Sequence, residues 1–85
     1  MNKFERLQSL DEQLQEENVK AKQLQERYDN GKIPEDKFKM EMRGIDNTKN
    51  ILENEIENEK QDKGISEQEY AEAKEEWQQE NEHSR

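Results

Sequence analysis

Apolar residues in the first third of the chain recur with helical spacing. They lie mostly three and four positions apart, as the a and d positions of a coiled-coil heptad do. Only Glu17 interrupts the series. We therefore predict a helix from about residue 3 to residue 29 with one long apolar stripe. The stripe consists of Leu7, Leu10, Leu14, Ala21, Leu24 and Tyr28.

A turn is predicted directly after this helix. Asp29-Asn30-Gly31 contains residues that accept the left-handed conformation in which helices end. Pro34 suits the first position of the next helix, and Glu35 and Asp36 place negative charge at its positively polarised end. Because the connection is only about four residues long, we expect the two helices to lie side by side and antiparallel.

A second apolar stripe follows the proline, with Lys49 as an interruption. Gly44 lies inside this stripe, and glycine costs a helix interior about 1 kcal/mol relative to alanine. Asp46 is a good N-cap, so one helix ending at Gly44 and another starting at Asp46 is the alternative. We predict one continuous helix to about residue 63. The stripe consists of Phe38, Met42, Ile45, Leu52 and Ile56.

A third helix is predicted after Lys63-Gly64-Ile65, where the glycine ends the second helix. Ser66 and Glu69 have the S-x-x-E spacing of a capping box, in which each side chain bonds the backbone N–H of the other residue. We expect residues 81–85 to fray.

The apolar face of the third helix is thin and consists of Tyr70, Ala73 and Trp77. Trp77 has two interpretations, a core residue or an anchor for a partner, because tryptophan is enriched at interface hot spots. Residues 64–85 carry seven acidic and two basic side chains. We predict a partner-facing surface on this helix. Its candidate residues are Tyr70, Trp77, Glu69, Glu72, Glu76 and Glu80.

These patterns predict an all-α protein with a long, coiled-coil-like antiparallel helical hairpin over residues 1–63 and a short acidic helix with a frayed tail over 64–85. Only 26% of the residues are apolar and 44% are charged, so one chain has little apolar surface to bury. Association would bury the stripes more completely. We expect a homo-oligomer whose seam consists of Leu7, Leu10, Leu14, Leu24, Tyr28, Phe38, Met42, Ile45, Leu52 and Ile56.

The two predicted turns resemble each other. A shift of 32 residues aligns Ile33 with Ile65 and Phe38 with Tyr70. Duplication explains the similarity, and so does the shared need of every helical hairpin for a helix stop, an apolar staple and a helix start.

The second turn also has a family resemblance. Gly64-Ile65-Ser66-Glu67-Gln68-Glu69-Tyr70, followed by Lys74 four residues beyond the aromatic, is similar to the SHOCT motif, a short helical hairpin usually found at the C-terminus of bacterial proteins. The resemblance covers mainly residues 57–77. The chain departs from the family at Glu75-Glu76-Trp77, where the family has a leucine pair. The resemblance implies an interaction or oligomerisation element without catalytic residues.

Charge and composition narrow the function classes. The net charge is −9, which disfavours direct nucleic-acid binding because that binding depends on Lys and Arg displacing counterions. The chain has no cysteine and hence no disulfide or thiolate metal site. No apolar run exceeds two residues, so neither a membrane span nor a signal peptide is expected. We expect a cytoplasmic protein of a bacterial or phage-infected host cell.

Two patterns suggest metal sites and fall short of them. Glu80 and His83 form a Glu-x-x-His pair, but a di-iron bundle needs a second pair and further inward-facing glutamates. Asp46 to Glu57 fits the ligand spacing of a calcium loop, yet Ile51 stands where the loop requires glycine. We predict no metal and no cofactor.

No catalytic residues are predicted either. Ser9, Ser66 and Ser84 lack the neighbouring base that a nucleophile requires. Our leading hypothesis is a non-enzymatic helical module, a small regulatory or adaptor protein that binds another protein. The alternative is an acidic, phage-type inhibitor that imitates nucleic acid and occupies the basic groove of a DNA- or RNA-binding protein.

Overall fold

The computed structural model describes residues 2–83, with side chains up to residue 79. Within that span the chain forms three α-helices and no strand: α1, Glu5–Asp29; α2, Glu35–Lys63; and α3, Glu67–His83. The all-α prediction is confirmed. Fraying was expected over residues 81–85; α3 extends to His83, and the last two residues lie outside the described part.

Gly44 does not break α2, which runs without interruption from Glu35 to Lys63. A Cβ atom at Gly44 would meet no other atom within 4 Å, so neighbouring residues do not require a glycine there. The Thr48 hydroxyl donates a hydrogen bond to the Gly44 carbonyl oxygen at 3.1 Å, which is a common bond one helical turn away. The prediction of a continuous second helix is therefore confirmed.

Both turns contain a left-handed glycine, Gly31 with φ 70° and Gly64 with φ 65°. At the second turn the Ile65 N–H donates to the Lys60 carbonyl oxygen at 2.8 Å, as in a Schellman motif. Pro34 has an extended backbone with ψ 158° and precedes the first helical residue, so the expectation that it opens α2 was wrong by one position. Its carbonyl oxygen accepts the first helical hydrogen bond, from Phe38 at 3.0 Å.

The core lies where the first half of α1, the last half of α2 and the start of α3 meet. α1 and α2 pack together, and α3 contacts α1. Phe4, Leu14 and Trp77 are partly buried at the edge of this cluster. The buried cluster consists of Leu7, Leu10, Leu52, Ile56, Ile65 and Tyr70.

The remainder of α1 and α2 has a smaller apolar contact. Leu24 is buried, and the Tyr28 and Phe38 rings stack with centroids 4.3 Å apart and an angle of 13° between their planes. Over the described residues, none of the helices combines the length and the apolar character that crossing a bilayer requires.

Candidate interaction surface

The capping box predicted at the start of α3 is present. The Ser66 N–H donates to Glu69 Oε1 at 3.1 Å, and the Glu69 N–H donates to Ser66 Oγ at 3.1 Å. Lys3 Nζ also donates to Glu69 Oε2 at 3.2 Å and ties the start of α3 to the start of the chain. The Ser66 N–H, and next the Lys3 ammonium, lower the pKa of Glu69 below its ordinary value. A local cap and one long-range ion pair thus fix this end of α3.

Tyr70 enters the core, whereas Trp77 remains at its edge. Tyr70 is 8% exposed and Trp77 is partly buried. The two rings meet edge to face, with centroids 6.3 Å apart and an interplanar angle of 64°. The prediction that Tyr70 faces a partner is therefore wrong for this structure, because its ring fills the space between the helices. Trp77 packs against the core cluster, and part of its side chain remains exposed to solvent.

Lys60 is a buried cation beside Tyr70. The residue is 5% exposed, and its ammonium forms ion pairs with Glu57, at 2.8 Å, and with Glu67 of α3. Its Nζ atom lies 5.0 Å from the Tyr70 ring centroid, and Lys74 Nζ lies at the same distance. Burial lowers the pKa of Lys60, but the two glutamates outweigh burial, and the net pKa is raised. The ammonium therefore stays charged and joins α2 to α3.

Asp11 is a second buried charged residue near Tyr70. It is 4% exposed, and its Oδ1 atom has no hydrogen-bond partner among the described residues. Burial, and next the Asp11 charge, raise the pKa of Tyr70 to about 12, although Lys60 acts in the other direction. A buried carboxylate oxygen without a donor is costly. α3 therefore docks over polar groups as well as over leucines.

The predicted seam residues all lie on buried or partly buried positions of α1 and α2. Those that are buried are Leu7, Leu10, Leu24, Leu52 and Ile56. Those that are half-buried are Leu14, Tyr28, Phe38, Met42 and Ile45. Their contacts within one chain account for this burial, and a role between chains stays a prediction.

Glu17, which interrupts the first stripe, is nevertheless buried. Lys20 Nζ donates to its Oε2 at 2.9 Å, and this hydrogen bond is the main cause that raises the pKa of Lys20. Glu17 and Lys20 also line an open groove of about 500 Å³ between the middle parts of α1 and α2, with Leu24, Arg27 and Gly44. Charges of both signs line the groove, so it has no preference for an ion of one sign.

A smaller groove contains most of the predicted partner-facing residues. It has a volume of about 280 Å³ and lies between the start of α1 and α3. Phe4 and Trp77 supply aromatic surface, and the carboxylates are Glu69, Glu72 and Glu76. Glu72 and Glu76 are exposed. The structure thus gathers four of the six predicted residues into one site, which we call the acidic groove; the Glu80 side chain lies outside the described part.

The structure places the calcium-loop match but not the Glu-x-x-His pair. The calcium-loop match from Asp46 to Glu57 lies inside α2, and a helical backbone cannot wrap around an ion. Among the described residues no group of three or more His, Asp or Glu side chains is placed to hold a metal. The side chains of Glu80 and His83 lie outside the described residues, so the Glu-x-x-His pair is not placed.

The sequence pattern did not predict that two charged residues near the candidate site, Asp11 and Lys60, are buried. A signal for both was present, because Asp11 follows Leu7 by four residues and Lys60 follows Ile56 by four, which places each beside an apolar stripe. Charged residues are almost never fully buried unless they are paired, so a prediction from apolar spacing does not place them in a core.

Comparisons of the chain with protein-family models, with curated proteins and with solved structures found no significant match.

Proposed function

We propose that this chain is a non-enzymatic helical interaction module, a small regulatory or adaptor protein that binds another protein through the acidic groove. The observation that carries the proposal is the grouping of Trp77 and Phe4 with Glu69, Glu72 and Glu76 around one groove. Aromatic surface beside carboxylates suits a partner segment that combines apolar and basic side chains.

We also propose that α1 and α2 form an antiparallel hairpin and that the chain self-associates in the cytoplasm of a bacterial or phage-infected cell. Two contacts support the hairpin: Tyr28 near the end of α1 stacks on Phe38 near the start of α2, and Arg6 Nε near the start of α1 lies 3.7 Å from Glu59 Oε1 near the end of α2. The reciprocal Ser66–Glu69 cap is in keeping with a SHOCT-type element over residues 57–77.

The alternative function is imitation of nucleic acid by the acidic helix. The exposed carboxylates Glu72 and Glu76 and the net charge of −9 favour it. The partner would then be a DNA- or RNA-binding protein whose basic groove accepts α3.

Capture from cell extract with the wild-type chain and its Trp77→Ala variant tests the leading proposal. Wild type should retain a partner, and Trp77→Ala should bind the purified partner about tenfold more weakly or worse. Met40→Ala is the matched control, because Met40 is 74% exposed on α2, outside the acidic groove. Equal loss in both variants, or loss in neither, would contradict the proposal.

The dependence of partner binding on salt concentration distinguishes the two proposed functions. A complex that depends on aromatic anchors changes little in about 1 M salt, whereas one that depends on carboxylates imitating phosphates dissociates. Survival of the complex at that salt concentration would rule out imitation of nucleic acid.

A further inference from the structure

We propose that α3 exchanges between two copies of the chain, so that α2 and α3 become one helix and each α3 docks on the partner's α1 and α2. This inference deepens the proposed self-association and rests on it. The partner is a second copy of the same chain, and the surface is the one that α3 already covers.

The register of the apolar positions supports a continuous α2–α3 helix. Steps of four and three residues that start at Leu52 and Ile56 of α2 reach Tyr70, Ala73 and Trp77 of α3, so the apolar residues of the two helices are in phase, although the three positions between them are polar. A straight helix would therefore place the apolar residues of both elements on one face. The positions in register are Leu52, Ile56, Glu59, Lys63, Ser66, Tyr70, Ala73 and Trp77.

The contacts of α3 do not require that it belong to the same chain. Tyr70 and Ala73 are buried, and Glu67 and Glu69 form ion pairs with Lys60 and Lys3. A second copy supplies the same apolar ring and the same carboxylates to the same two lysines. Exchange keeps all these contacts and changes only the hinge, which is why swapping is a low-cost route to dimers.

The hinge consists of three residues, Gly64 to Ser66, between the end of α2 and the start of α3. Gly64 holds the turn in a left-handed conformation, and a Cβ added there meets nothing within 4 Å, so the backbone conformation alone opposes a larger residue at the hinge. Ile65 opposes exchange: it is buried in the folded-back form, but it follows Ile56 by nine residues and would lie on the outer side of a straight helix. We therefore expect a monomer at low concentration and the exchanged dimer as concentration rises.

Cross-linking between single-cysteine variants detects exchange directly, because the chain contains no cysteine. Lys3→Cys chains are mixed with Glu69→Cys chains, refolded together at high concentration and treated with a short bis-maleimide. These two side chains form an ion pair at 3.2 Å, so exchange predicts a product that joins the two different chains. Lys3→Cys mixed with Glu35→Cys, whose cysteine would lie at the first residue of α2, reports random collision.

Glycine variants test the hinge. Gly64→Ala penalises the left-handed turn and favours the straight helix. Each of the two hinges should contribute about a factor of ten, so the dimer dissociation constant should fall by about a hundredfold. Gly44→Ala is the matched control, because it replaces a glycine inside α2, where the new Cβ meets nothing within 4 Å, and leaves the hinge unchanged. Gly64→Asn, which tolerates the left-handed conformation, should dimerise about as the wild type does and guards against misfolding of the alanine variant.

The outcomes separate exchange from the proposed function. Cross-links between Lys3→Cys and Glu69→Cys chains well above the Glu35→Cys background, together with tighter Gly64→Ala dimers, would support exchange. Dimers in light scattering without such cross-links would overturn exchange and leave self-association through another surface. A chain that stays monomeric even as Gly64→Ala would overturn exchange and self-association, while partner capture that depends on Trp77 would still uphold the interaction module.

Discussion

The Lys60 ammonium lies 5.0 Å from the ring centroid of Tyr70, although the two residues belong to different helices. Tyr70 supplies aromatic surface and Glu57 and Glu67 supply negative charge, so this buried cation is satisfied from two helices. A cation held beside an aromatic face is favoured most where water is excluded. Lys60 therefore links α2 to α3 through its ion pair with Glu67 and its contact with the Tyr70 ring.

Replacing Lys60 by glutamate should break this link. Lys60→Glu would place a third carboxylate beside Glu57 and Glu67 in a buried position, and we expect a loss of about 3 kcal/mol or more in the free energy of unfolding. Urea denaturation followed by circular dichroism measures it. Lys63→Glu makes the same charge change at an exposed site of α2 and should cost far less; similar losses in both variants would contradict the role of Lys60.

Truncation of Tyr70 should detach α3. Tyr70→Ala removes a buried ring from the core and leaves a cavity, at an expected cost of about 3–5 kcal/mol. Tyr70→Phe keeps the ring and should retain most of the stability. Thermal melts combined with amide hydrogen exchange would locate the loss of stability. If the amide hydrogen-exchange rates of α3 are the same in Tyr70→Ala as in the wild type, the Tyr70 ring does not hold α3 in place.

Asp11 should be a site where substitution stabilises the protein. Its Oδ1 atom is buried without a donor, so Asp11→Leu should raise the free energy of unfolding by about 1–3 kcal/mol. Glu12→Leu, at an exposed neighbouring position, should change it by less than about 0.5 kcal/mol. If Asp11→Leu instead lowers stability, the carboxylate has a structural partner that the fold of one chain does not supply.

The folded chain should lose stability at alkaline pH. Burial and the Asp11 charge raise the pKa of Tyr70 to about 12, whereas an unfolded tyrosine loses its proton near pH 10. Between these values the unfolded chain binds fewer protons than the folded one, so stability falls as pH rises through that window. Tyrosinate absorbance in a Tyr28→Phe background follows Tyr70 alone, and ionisation near pH 10 in the folded chain would contradict the assignment.

The sequence by itself determined the helices and placed their ends to within about two residues. Helix boundaries depend on residues close together along the chain, as at the Ser66–Glu69 capping box and at the left-handed Gly31 and Gly64. The continuous α2 was also predictable, because one glycine costs a long helix little compared with its packed stripe. The choice of the acidic helix as a candidate surface needed only its composition.

Only the tertiary structure decided which side chains of that helix are accessible. Tyr70 and Trp77 share one helical face, yet Tyr70 belongs to the buried core, whereas Trp77 packs at its edge and lines the acidic groove. The burial of Asp11 and Lys60 also depends on how the three helices pack together. Lys3 and Glu69, 66 residues apart, form an ion pair through the way α3 folds back. Local patterns identify faces of helices, but the residues that cover a face come from distant parts of the chain.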